Sequence, residues 1–173
     1  MLASRPARAD NQAFTMDQAS LLATIEWGTN DLDLGLGARL GYTLNPGIYL
    51  GGVFDYWFGE TQTETIPFGG GNVSASAHGW DALAIAGYDF GPTPKVLIRP
   101  FAGGGVIRES AEACTPSGEG TETCVSASHS AGIGTFGGLI AARIDPVMLG
   151  GEARLLFGDS TSFVIGADVG VSF

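Results

Sequence analysis

Alternation of apolar and polar residues with period two runs through most of the chain. Between positions 32 and 44, Leu32, Leu34, Leu36, Ala38, Leu40, Tyr42 and Leu44 share one face, while Asp33, Gly35, Gly37, Arg39, Gly41 and Thr43 share the other. That repeat belongs to a strand, not to a helix with 3.6 residues per turn. After the turn signal Asn45-Pro46-Gly47, a second arm sets Ile48, Leu50, Gly52, Phe54, Tyr56 and Phe58 against Tyr49, Gly51, Val53, Asp55, Trp57 and Gly59. Each arm is about twelve residues long, roughly twice a common soluble strand and enough for a tilted strand to cross a bilayer.

The same pattern predicts six further strands. The first, 19–27, sets Leu21, Ala23, Ile25 and Trp27 against Ser20, Leu22, Thr24 and Glu26; an amphipathic helix is the alternative there, but the turn cluster Gly28-Thr29-Asn30-Asp31 favours a strand. Over 78–90, Trp80, Ala82, Ala84, Ala86, Tyr88 and Phe90 face away from Asp81, Leu83, Ile85, Gly87 and Asp89. Over 95–108, Arg99 shares a face with Leu97, Phe101, Gly103, Gly105 and Ile107, and Pro100, which has no ladder donor, predicts a bulge or local irregularity. Strands over 130–144, 149–157 and 163–173 complete the set, the last pairing Phe163, Ile165, Ala167, Val169, Val171 and Phe173 against Gly166, Asp168, Gly170 and Ser172. Residues 60–77 and 109–128 read as two long polar loops, whereas 45–47, 91–95 and 145–148 are short turns on the side of both termini.

Which face looks inward follows from volume. A soluble barrel buries its large apolar side chains, whereas a membrane barrel turns them to lipid and fills a narrow lumen with polar and small residues. The crowded face here is rich in glycine, and the leucines and aromatics fit better outside. The prediction is an all-β fold, an eight-stranded antiparallel up-and-down transmembrane β-barrel over 19–173, preceded by an N-terminal segment, 1–18. By parity Glu26, Asp33, Arg39, Asp55, Asp81, Asp89, Arg99, Arg143, Glu152, Arg154 and Asp168 point into the lumen, where opposite charges should pair because an unpaired one is costly. A lumen plugged by these charges is expected; a narrow, porin-like path is the alternative. Trp27, Tyr42, Trp80, Tyr88 and Phe90 are the outward aromatics expected at the two membrane interfaces.

Composition agrees. The 173 residues include 28 glycines and only 15% charged residues, a skew that suits many turns and closely packed strands in one domain. Mean hydropathy is +0.21, yet no apolar run reaches the roughly eighteen residues of a membrane helix. A net charge of −10 excludes a basic nucleic-acid-binding surface. The acids at Glu60, Glu64, Glu109, Glu112, Glu119 and Glu122 read as solvated loop charges, with divalent-cation bridging to anionic lipid the other reading.

Cys114 and Cys124 flank a polar spacer rich in proline and glycine, so a loop-stapling disulfide in an oxidising compartment is expected in preference to a metal site, which would want further ligands. Ala7-Arg8-Ala9 has the form of a signal-peptidase site without a preceding apolar stretch. It reads equally as the remnant of an export signal or as a chance match. His78 and His129 are the only histidines and nothing supplies a fixed catalytic third member; Gly69-Gly70-Gly71 lacks the following Lys-Ser/Thr of a phosphate loop. No enzymatic activity, cofactor or metal is expected.

With these strands in view the chain resembles the small eight-stranded outer-membrane β-barrels of the OmpA/OmpX-like group. The resemblance rests on the alternation from 19 to 173, on Leu97-Ile98-Arg99-Pro100-Phe101-Ala102-Gly103-Gly104-Gly105, and on the closing Val169-Gly170-Val171-Ser172-Phe173. It implies a Gram-negative outer-membrane location with periplasmic termini and extracellular long loops, and contact with outer-membrane lipid and lipopolysaccharide. It also implies that Val169, Val171 and Phe173 form the signal read by the barrel-assembly machinery. The expected role is structural, adhesive or surface-interacting through the long loops. Two rivals stand beside it: a soluble lipocalin-like binder of a small hydrophobic ligand, with Leu34, Leu36, Phe54 and Phe58 inside, and a lipid-modifying outer-membrane enzyme using His129 or His78.

Overall fold

The computed structural model describes residues 18–30, 32–59, 61–65, 72–93, 95–117 and 121–173, and among them every regular element is a strand. The strands are β1 (Gln18–Gly28), β2 (Asp33–Leu44), β3 (Ile48–Trp57), β4 (Thr61–Thr65), β5 (Asn72–Tyr88), β6 (Phe90–Thr93), β7 (Val96–Ser117), β8 (Thr121–Ile144), β9 (Val147–Phe157) and β10 (Thr161–Ser172). Eight of them close an antiparallel ring in the order β1, β2, β3, β5, β7, β8, β9, β10, with β10 pairing back onto β1. β4 adds only to the outer part of β5, and β6 only to the start of β7.

Closure fixes the stagger. Following cross-strand partners once round the ring from Gln18 leads through Thr43, Tyr49, Gly87, Phe101, Gly137, Arg154 and Val164 to Gly28, ten residues further along β1. Such an offset accompanies strands tilted against the barrel axis, and eight strands leave an interior just wide enough for side chains.

Burial sets the sense of the two faces. Leu36, Phe54 and Ile140 are 50%, 50% and 60% exposed, while Arg39, Asp55 and Arg154 are 2%, 1% and 1% exposed. Leu34 and Phe58 also lie outside and Asp168 inside, which overturns the lipocalin-like alternative. The outer surface is a continuous apolar band that water would not tolerate and lipid would. Most of its aromatics fall in two groups, Trp27, Tyr56, Phe58, Trp80, Phe157 and Phe163 towards the end where the long strands project, and Tyr42, Tyr88, Phe90 and Phe173 towards the short turns, with Phe54 and Phe136 between them.

Three expectations need correction. First, the segments read as long loops are largely strand: β7 and β8 are 22 and 24 residues long and pair continuously to Ser117↔Thr121, while β5 follows β7 as far as Ser74↔Cys114. Second, Leu32 and Asp33 swap sides. Leu32 is buried and Asp33 exposed, because Asp33 takes φ 43° and this left-handed residue breaks the parity at the first position of β2. Third, the irregularity expected at Pro100 is confined to one side, because against β8 it pairs with Gly138 in unbroken register. Its effect falls on the other side: the β5 ladder stops at Gly87↔Phe101 and resumes in β6 at Phe90↔Ile98, leaving a gap opposite the residue that lacks an N–H. The export-signal motif at Ala7 to Ala9 and the Gly69 to Gly71 run lie outside the described residues.

Candidate functional site in the barrel lumen

Inward positions on β9, β10, β1, β2, β3 and β5 carry charged side chains, whereas the facing wall of β7 and β8 offers Gly103, Gly105 and Gly137 at the same level. The asymmetry lets guanidinium groups reach across the axis. Arg154 places Nη2 2.7 Å from Glu26 Oε2 and 2.5 Å from Asp55 Oδ2, and its Nε lies 3.7 Å from Glu152. Arg39 donates to Glu152, approaches Glu26 at 3.7 Å, and lies over the Phe101 ring at 5.3 Å. Around this core Thr24 donates to Asp168 at 2.7 Å, and Trp57 Nε1 donates to Asp81 at 2.8 Å. All of these polar side chains are buried, so the charges are held out of water and held by one another.

A second cluster sits nearer the short turns. Arg99 binds both oxygens of Asp89, at 2.6 and 2.9 Å, a bidentate fit that fixes the guanidinium plane. Thr43 donates to the same carboxylate at 2.7 Å, and the Tyr49 ring lies 3.5 Å from Arg99 Cζ. Tyr49 can lie inside because Gly41 and Gly51 flank it; a Cβ at either would run into its ring.

Apolar side chains pack beyond both clusters. Leu32, Leu156, Ile107 and Ile133 pack towards the projecting strands, and Leu97, Leu139, Ala141 and Met148 towards the turns.

Of the lumen residues expected from parity, Glu26, Arg39, Asp55, Glu152 and Arg154 meet in one network, Asp81 and Asp168 adjoin it, and Asp89 and Arg99 form the second cluster. Asp33 joins neither, for the reason given above. Arg143 lies at the rim, binding Asp145 at 2.8 Å and Gln18 at 3.2 Å. The neutral partners Thr24, Thr43, Tyr49 and Trp57 did not stand out in the sequence, although each occupies an inward position of the alternation.

Elsewhere, Cys114 and Cys124 are directly opposed on β7 and β8 and joined as a disulfide, with Cα atoms 4.1 Å apart. Glu109 and Glu112 fall on opposite faces of β7, so they do not converge. Nor do the histidines: His78 stacks on Tyr56 on the outer face, at 6.5 Å, whereas His129 lies 3.2 Å from Asp159.

No family model matches the sequence, and no curated protein resembles it in sequence. Among solved structures the chain is similar to a major outer membrane protein from Thermus thermophilus, with TM-score 0.69 and 12% identity over 91% of this chain and 100% of that one. It is similar also to Ail, the attachment invasion locus protein of Yersinia pestis (TM-score 0.58, 11% identity, 91% and 97% covered). A third likeness is to the N-terminal β-barrel domain of Pseudomonas aeruginosa OprF (TM-score 0.55, 15% identity, 91% and 100% covered). The chain has the fold of the small outer-membrane β-barrels, with eight strands in its ring.

Proposed function

We propose that this is an integral outer-membrane protein, without enzymatic activity, that holds a surface-interaction module above a barrel plugged by its own charges. The observation that carries the reading is the length of β7 and β8: at 22 and 24 residues they exceed by about twofold what a tilted strand needs to cross a bilayer. The excess, together with the outer part of β5 and with β4, builds a sheet that rises beyond the ring. β9 meets β8 only from Gly134 onward, so among the described residues no strand pairs with that side of β8 between Val125 and Ile133. An edge of that kind accepts a strand from a protein partner. Ail is named for attachment and invasion, and the projecting sheet gives this chain a surface suited to contact of the same kind.

In this reading the short turns face the periplasm, the projecting sheet faces outward and the apolar band meets lipid and, in the outer leaflet, lipopolysaccharide. Val169, Val171 and Phe173 point outward along the closing strand, where the barrel-assembly machinery would read them.

The test replaces residues 110–128 by an Asn-Gly turn, a connection that suits a tight hairpin. Cells carrying the full chain are expected to adhere to a matrix-coated surface, and cells carrying the shortened barrel to lose that adhesion at equal surface abundance. Equal adhesion by both would refute the proposal.

A further inference from the structure

We infer that the mouth of the barrel is a binding site for a small organic cation with an apolar body. A cavity of about 460 Å³ opens there, within the range of roughly 300–1,000 Å³ that small-molecule sites occupy. The alternation that lines the lumen continues up the projecting sheet, so the inner face of β7 and β8 becomes the cavity wall. Leu32, Trp57 and Ile107 close the floor, and the methyl groups of Ala77, Ala111 and Ala127 line the sides.

Glu109 is the acid in the cavity wall and sets its charge. Glu109 and His129 are directly opposed on β7 and β8, and His129 is engaged by Asp159 at 3.2 Å. Glu109 therefore stands over an apolar floor with no ion-pair partner among the described residues. The chain as a whole carries a net charge of −10, which favours approach of a cation and disfavours an anion. An ammonium group at Glu109 with its hydrocarbon portion against Leu32 and Ile107 satisfies both features. The cavity wall shares Ala127, Ser128 and His129 with the projecting part of β8, so replacing residues 110–128 removes part of it, whereas Glu109→Gln leaves the projecting sheet in place and separates this site from the adhesive role.

The test uses the full chain in nanodiscs of zwitterionic lipid, with empty nanodiscs as the blank. The probe is biphenylmethylammonium, and biphenylacetate supplies the same apolar body with the opposite charge. Calorimetric titration is expected to show saturable binding of the cation and none of the anion. Glu109→Gln should weaken the cation about tenfold, as loss of one charge-assisted hydrogen bond does, and Ala111→Trp should abolish binding by filling the cavity. Heat-modifiable gel mobility confirms that each variant is folded. Should Ala111→Trp fail to fold, Glu109→Gln decides alone. Absence of saturable binding, equal binding of the two probes, or cation binding unchanged in Glu109→Gln would overturn the assignment.

Discussion

Arg154 joins Glu26 and Asp55 across the lumen, at 2.7 and 2.5 Å, and the side chains around it are buried, so its removal leaves two buried carboxylates without the cation that binds them. Truncating one partner of a buried ion pair strands the other charge, at a cost of about 3–5 kcal/mol. Arg154→Ala is therefore expected to lower the free energy of denaturant unfolding in lipid vesicles by that much, while Arg143→Ala, at the solvated rim, should change it little. Equal effects from the two substitutions would show that burial does not govern the network. At this scale the sequence spoke through parity: the inward charges followed from alternation alone. Parity failed where the backbone left the extended region, at Asp33 with φ 43°, since one left-handed residue turns its neighbour Leu32 to the opposite side. The stacking of Tyr49 on Arg99 was not legible at all, because it depends on which strands meet across the axis.

Strands that span the apolar band announce themselves by large residues on one face. The projecting parts of β7 and β8 do not. There Ala111 and Ala113 alternate with Ser110 and Glu112, and Ala127 and Ala131 with Ser126, Ser128 and Ser130, so period two persists with almost no contrast in size. The signal was present, and polarity disguised it as loop. The disulfide staples this sheet at Cys114↔Cys124, far from the ring, whose stability comes from closure and from the lumen. The double substitution Cys114→Ser with Cys124→Ser is accordingly expected to leave heat-modifiable mobility unchanged and to speed proteolytic cleavage between 110 and 128. Loss of the folded gel form would mean that the staple supports the barrel itself. Pro100 shows the same separation of effects, since it interrupts the ladder towards β5 and β6 and leaves the one towards β8 intact.

For the whole molecule, one inversion explains the rest: apolar side chains outside, charges inside, and small residues where the wall must give way to guanidinium groups. A fold with eight strands has little room for anything else, which is why composition and alternation together reached the architecture while the partner of the projecting sheet left no trace in them. The three tryptophans test the inversion directly. Trp27 is 51% exposed on the outer face, Trp80 lies on the same face, and Trp57 is 1% exposed inside, bonded to Asp81. Variants retaining one tryptophan each, the others changed to Phe, are reconstituted into vesicles whose acyl chains carry bromine, which quenches indole fluorescence on contact. Strong quenching of Trp27 and Trp80 with little quenching of Trp57 is the predicted result; quenching of Trp57 with Trp27 and Trp80 spared would contradict the account.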